Sequence, residues 1–172
     1  KLPALIHLFN QTAREVCEGQ QMDMDFEKME KVQLETYLHM ITLKTSVLLA
    51  AAMKMGAIIG LAKPEDQHAL YEFGKNIGIA FQIQDDYLDA FGDPEKFGKQ
   101  PGGDILANKK TFLFIRTCEV ANAQHRQQLQ TLLNTNDDDK VARMLQLYKD
   151  CGSDTWANEL KENYFQKAIQ EL

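Results

Sequence analysis

The sequence has little that would let it handle nucleic acid. It carries 19 Lys and Arg against 25 Asp and Glu, a formal net charge of −6, and has no Lys/Arg-rich block that could track a phosphate backbone. Such binding needs a basic face. Its three cysteines, Cys17, Cys118 and Cys151, lie far apart and form no CxxC pair. That argues against a disulfide framework or a thiolate zinc site and fits a reducing, cytoplasmic setting. His7, His39, His68 and His125 show no ligand spacing, and no Ser-His-Asp or Cys-His set can be assembled. No signal-peptide pattern is present. The most apolar stretch, Val47 to Ala62, is interrupted by Lys54 and falls short of the about 18 apolar residues a spanning helix requires. It reads as a buried core helix, with no stable membrane span expected. Alternating apolar–polar runs, hairpin signals, repeats and low-complexity segments are also lacking.

What is there is helical periodicity almost throughout, so the expected fold class is all-α, a helical bundle. The 172 residues suit one domain or a piece of a larger one. Leu5, Ile6, Leu8, Phe9, Ala13, Val16 and Cys17 recur at helical spacing, with Gly19 as the expected stop and Gln20 to Asp25 as a polar connection. A second periodic stretch carries Met29, Val32, Leu34, Leu38, Ile41 and Leu43. The Ala- and Gly-rich run Thr45 to Ala62 follows, predicting close helix–helix approach at the centre of the bundle. Pro64 suits the first turn of a helix, and Glu65 and Asp66 suit its positive end. That helix should reach about Phe91 with Gly74 and Gly78 inside it, where tight packing would explain two residues that each weaken a helix by up to ~1 kcal/mol. From Gly92 to about Asn108 four glycines and two prolines mark a loop. Helix is expected again from Lys110 to Leu133. A further helix should run from Asp137 to Cys151, capped by Asn136 and stopped by Gly152. In the last one Ser153 is the expected cap, and Ala157, Leu160, Tyr164, Ala168 and Leu172 face inward.

Three places carry chemistry. In Phe81-Gln82-Ile83-Gln84-Asp85-Asp86-Tyr87-Leu88-Asp89, Asp85 and Asp89 are four apart on a helix and share a face, at a cost of a few tenths of a kcal/mol in repulsion. Asp86 adds a third charge about 100° around. Apolar neighbours surround the trio, and a divalent cation would offset the penalty of burying such charges. Carboxylates at this spacing suit Mg²⁺, which takes one or two of them and fills its shell with water and phosphate oxygens. A solvated acidic patch at a helix end accounts for the trio equally well. Gln82, one turn before Asp85, could bond a phosphate, orient a carboxylate, or simply face solvent. The second place is the loop Phe97-Gly98-Lys99-Gln100-Pro101-Gly102-Gly103-Asp104, followed by Lys109-Lys110-Thr111. Its glycines free the backbone for close approach, its lysines offer charge to a phosphate, and the next helix start attracts anions. It reads as a lid over a diphosphate or as a plain linker. The third is Lys44-Thr45, between two apolar segments. An anion would satisfy both side chains, and so would a snorkelling Lys with a capping Thr. Asp137-Asp138-Asp139 reads as helix capping.

In order, Gly19-Gln20-x-x-Asp23, Lys44-Thr45, Phe81-Gln82-x-x-Asp85-Asp86-x-x-Asp89, Gly98-Lys99-x-x-Gly102-Gly103-Asp104 and Lys109 resemble the trans-isoprenyl (polyprenyl) diphosphate synthases of the farnesyl and geranylgeranyl type. The likeness covers nearly the whole chain and thins after about Val120. It implies the C-terminal portion of the all-α class I isoprenoid synthase fold, residues 1–172 being part of one polyprenyl synthetase domain. It implies a Mg²⁺-dependent prenyltransferase (Mn²⁺ as substitute) that joins isopentenyl diphosphate head to tail to an allylic diphosphate and releases pyrophosphate, commonly as a cytoplasmic homodimer. By resemblance Asp85 is the direct metal ligand, with Asp86 and Asp89 acting through water or behind it. Lys44, Lys99 and Lys109 would hold the allylic diphosphate, Thr45 and Gln82 would steady cation or phosphate, and Asp104 would order the loop. The family's first aspartate-rich motif, the upstream residues that bind isopentenyl diphosphate and a basic C-terminal tail are not in this sequence. A helical pattern from Lys1 onward, without an initiator Met, is therefore expected of a fragment that is inactive by itself. A class I terpene cyclase and a non-catalytic regulatory subunit of a hetero-oligomeric synthase remain alternatives. Product chain length is not legible.

Overall fold

The computed structural model describes residues 1–97, 101–135 and 137–172, which form helices and connecting turns with no strand among the described residues. The helices are α1 (Leu2–Phe26), α2 (Leu34–Ile41), α3 (Val47–Ile59), α4 (Pro64–Phe91), two single turns α5 (Pro94–Phe97) and α6 (Gly103–Leu106), then α7 (Phe112–Val120), α8 (Ala123–Leu133), α9 (Lys140–Asp150) and α10 (Ser153–Ile169). Between α2 and α3 the chain makes a π-helical turn, Thr42–Ser46, so Leu34 to Ile59 is one unbroken helical run. By length and composition alone that run could cross a membrane. Here it packs between α1 and α4 and buries Tyr37, Met40, Ile41, Val47, Ala50, Ala51 and Ala57, but Leu48, Met53 and Ile59 are exposed, so the buried core helix expected from Val47 onward is buried on one side only.

Small residues decide how closely these helices approach. Gly74 and Gly78 on α4 face the run just described. A Cβ at Gly74 would lie 2.8 Å from Ala50 Cα, and one at Gly78 would lie 2.6 Å from Ser46 Cα. The tight packing expected of both glycines is found. Gly19 has the same role on α1 and does not end that helix, which continues seven residues to Phe26. A Cβ there would overlap the backbone of Leu43 and Lys44. The supposed connection Gln20 to Asp25 is therefore helical, and Asp23 comes one turn after the glycine, aimed at the same π turn.

The main core gathers Tyr37, Ile83, Phe112, Leu113, Leu132, Met144, Leu147 and Ala157 from α2, α4, α7, α8, α9 and α10. Tyr37, Phe112 and Trp156 form an aromatic series with ring centroids 6.2 and 6.1 Å apart. A smaller cluster, Leu8, Ala51 and Ile58, joins α1 to α3. Three further expected elements differ. Lys110 to Leu133 is two helices, because the Asn122 side chain accepts from the His125 N–H at 2.9 Å and starts α8. The helix expected from Asp137 begins at Lys140, and its expected cap, Asn136, lies outside the described residues. Ser153 does not cap α10; its buried hydroxyl pairs with that of Thr117 at 2.8 Å, and Gly152, at φ +67°, makes the turn into the helix. Ala157 and Ala168 are buried as expected, whereas Leu172 is exposed.

Candidate functional site

The π turn Thr42–Ser46 carries Lys44 and Thr45. A π turn widens the helix by one residue, and such turns recur at functional sites. It puts Lys44 toward α1 and Thr45 toward α4. Lys44 Nζ lies 2.5 Å from Asp23 Oδ2, and Thr45 Oγ1 donates to Gln82 Oε1 at 3.1 Å. Gln82 in turn donates from Nε2 to Asp86 Oδ1 at 2.9 Å. The other oxygen of Asp86 accepts from the Tyr37 hydroxyl. A continuous chain, Thr45–Gln82–Asp86–Tyr37, thus joins the π turn, α4 and the aromatic core.

The three aspartates of α4 divide by environment. Asp86 is buried, at 4% exposure. Burial lifts its carboxyl to a pKa of about 6, against the lowering effect of the Tyr37 and Gln82 hydrogen bonds and of Lys109. Burial and then the neighbouring Asp86 raise the Tyr37 hydroxyl well above its ordinary value, so it stays a donor. Asp89 is half-buried and holds the loop. Its side-chain Oδ2 accepts from the Asp104 N–H at 2.9 Å and its carbonyl from the Gly102 N–H at 2.6 Å. Asp85 is exposed, and among the described residues it engages in no hydrogen bond or ion pair. Gln82 bonds Asp86 and not Asp85, although both lie within one turn of it on the helix.

Facing α4 is the turn after α6. Lys109 Nζ lies 3.3 Å from Asp104 Oδ1. Burial pulls the Lys109 ammonium down in pKa, but Asp104, Asp86 and Asp23 together outweigh it and hold the value above that of an ordinary lysine. Burial raises the Asp104 carboxyl, and Lys109 offsets part of that. Lys44, Gln82, Asp86 and Lys109 border one small cavity of about 20 Å³. It adjoins a cleft of about 350 Å³ between Asp23, Glu27, Tyr37, Asn108, Lys109 and Lys110.

Lys44, Thr45, Gln82, Asp86, Asp89, Asp104 and Lys109 therefore belong to one connected site, with Asp85 on the exposed side of the same helix. Lys99 and Gly98 lie outside the described residues. Tyr37 was missed from sequence. Its signal was a hydroxyl in an apolar helix, which needs a partner once buried. Removing it in Tyr37→Phe leaves an Asp86 oxygen without its donor. We expect a loss of about 1–3 kcal/mol, read as a lower midpoint in urea with an unchanged slope.

Among the described residues no three His, Cys, Asp or Glu side chains converge into a closed metal cage. The donor set is one open carboxylate, Asp85, backed by two that are anchored to protein groups. This suits a hard cation that keeps much of its shell for water and phosphate oxygens, and does not suit a tightly caged ion. Lys44 and Lys109, which border the small cavity next to Asp86, suit an anion with several oxygens.

Residues 1–151 match the family described as Polyprenyl synthetase. A short chain isoprenyl diphosphate synthase of Methanothermobacter thermautotrophicus is 38% identical over 157 residues, 91% of this chain and 48% of the relative. A geranylgeranyl diphosphate synthase of Sulfolobus acidocaldarius is 34% identical over 167 residues, 96% of this chain and 50% of the relative. The crystal structure of a geranylgeranyl pyrophosphate synthetase from Pyrococcus horikoshii superposes with a TM-score of 0.90 at 36% identity, over 98% of this chain and 52% of the other. The chain thus spans about half the length of the relatives it matches. Its helices follow the all-α fold of these synthases.

Proposed function

Because the chain belongs to the polyprenyl synthetase family, we propose that it supplies one wall of a Mg²⁺-dependent prenyltransferase site. The reaction joins an allylic diphosphate head to tail with isopentenyl diphosphate to give a short-chain isoprenyl diphosphate, with release of pyrophosphate. The observation that carries this is the division of labour on α4: Asp86 and Asp89 are tied to the protein and Asp85 is left open, while Lys44 and Lys109 border the small cavity next to Asp86.

In this reading Asp85 holds the cation, Mg²⁺ or Mn²⁺ in its place. The cation's charge offsets the negative charge that develops on the departing pyrophosphate. Lys44 and Lys109 hold the allylic diphosphate, and both already sit against carboxylates, Asp23 and Asp104, that keep them oriented. Fixed charges aimed at the leaving group act most where its charge is largest, at the transition state. Thr45 and Gln82 hold Asp86 in place, Asp89 pins the loop, and Lys99 adds a third positive charge. The synthase names of the relatives favour this chemistry over that of a terpene cyclase. The site's completion by a second acidic motif from the rest of the domain, homodimer assembly and a cytoplasmic setting belong to the same proposal.

Two measurements test it. Calorimetry of the chain with pyrophosphate should show binding with Mg²⁺ and none with EDTA; equal binding in both removes the metal from the reading. The chain alone should not turn over geranyl diphosphate and isopentenyl diphosphate with Mg²⁺, and robust turnover would show that a second acidic wall is not required.

A further inference from the structure

We propose that Lys140, at the start of α9, is a positioning residue for the diphosphate lysine Lys109 and acts through Asn108. This rests on the reading of Lys109 just given. Lys140 is fully buried, which lysine almost never is unless paired. Its ammonium donates to Asn108 Oδ1 at 2.9 Å. The same amide donates from Nδ2 to the Leu133 carbonyl at 3.2 Å, so both ends of the Asn108 side chain are fixed.

Asn108 is also at φ +52°, a left-handed conformation that only a few residue types adopt without strain. That conformation turns the chain so that the next residue points back. The Lys109 N–H then reaches the Asp104 carbonyl at 2.9 Å, and its ammonium reaches the Asp104 carboxylate. The neighbouring residue on α9 supports the other end of the same loop. A Cβ at Gly102, at φ +93°, would lie 2.5 Å from Val141 Cγ1. The first two residues of α9 therefore grip the Gly102–Lys109 segment at both ends, from a helix that contributes nothing else to the site. A buried charge bonded to an amide is a poor way to add stability, since an apolar side chain of similar volume is often as good or better there. Its geometric effect on Lys109 gives it a reason to exist.

Lys140→Met keeps the volume and removes the donor. We expect it to weaken Mg²⁺–pyrophosphate binding by about tenfold, the low end of what losing an outer partner of a metal site costs. Lys109→Met with Lys140→Met should bind no more weakly than Lys109→Met alone, because one acts through the other. Hydrogen exchange should speed up at the Lys109 amide and stay unchanged in α4. Wild-type affinity with unchanged Lys109 protection overturns the proposal, and so does an additive double variant. Asn108→Gly, which keeps the left-handed backbone, breaks the same link if Lys140→Met folds poorly. If the unmodified chain binds no Mg²⁺–pyrophosphate, the functional reading falls, and the exchange rates still decide whether Lys140 positions Lys109.

Discussion

Replacing Asp85 with Ala is expected to weaken Mg²⁺-dependent pyrophosphate binding by at least about 100-fold, since losing even an outer partner of a metal site costs about 10–100-fold, while leaving the apo fold slightly more stable. The two effects have opposite signs because they have different sources. In the chain without ligand, Asp85 is exposed and faces Asp89 four residues on, a like-charge pair that costs a few tenths of a kcal/mol. Ala also has the higher helix propensity, by up to about 0.7 kcal/mol. Removing the carboxylate therefore relieves the helix. With a dication and pyrophosphate present, the same carboxylate is the one open oxygen donor of its motif, since Asp86 is engaged by Tyr37 and Gln82 and Asp89 by the Asp104 N–H. Calorimetry for binding and thermal unfolding for stability read the two signs independently. Affinity within twofold of wild type would remove Asp85 from the metal role, and a clear drop in Tm would mean that it is structural.

The acids of α4 show what the sequence could and could not reveal. The helix was legible from Pro64 to Phe91, because Pro64, Glu65 and Asp66 open it and Gly92-Asp93-Pro94 closes it, all local signals. The spacing of Asp85 and Asp89 was legible for the same reason. What separates Asp86 from Asp85 was not, because the partner of Asp86 is Tyr37, forty-nine residues away. Gly19 was misread for a related reason. A glycine after an apolar periodic stretch looks like a helix stop, and only the π turn lying against it shows that it is a contact point. Lys140 gave no signal, since a lysine after three aspartates reads as surface charge. Local chemistry wrote the helices and the motif; the connections between them depend on long-range proximity.

The same substitution, Gly to Ala, should have opposite effects at two positions. Gly78→Ala is expected to destabilise the chain by about 3 kcal/mol, roughly 6–12 °C in Tm at this size, and Gly56→Ala to stabilise it by up to about 1 kcal/mol. Both glycines are inside helices, so alanine gains the same helix propensity at each. The difference is what the new methyl meets. At Gly56 there is nothing within 4 Å. At Gly78 it would lie 2.6 Å from Ser46 Cα, with Ser46 Oγ at 3.0 Å, and a backbone atom cannot move aside as a flexible side chain can. Ser46 is the last residue of the π turn and fully buried. Relief must come from moving α4 away from the turn, which stretches the Thr45–Gln82 bond on the same interface. Gly78→Ala should therefore also weaken Mg²⁺–pyrophosphate binding, although residue 78 is a full turn away from Gln82. Calorimetry on the folded fraction of Gly78→Ala, with Gly56→Ala as the matched control, separates this from simple unfolding. Unchanged affinity and stability in Gly78→Ala would mean that the π turn is not held in place by α4.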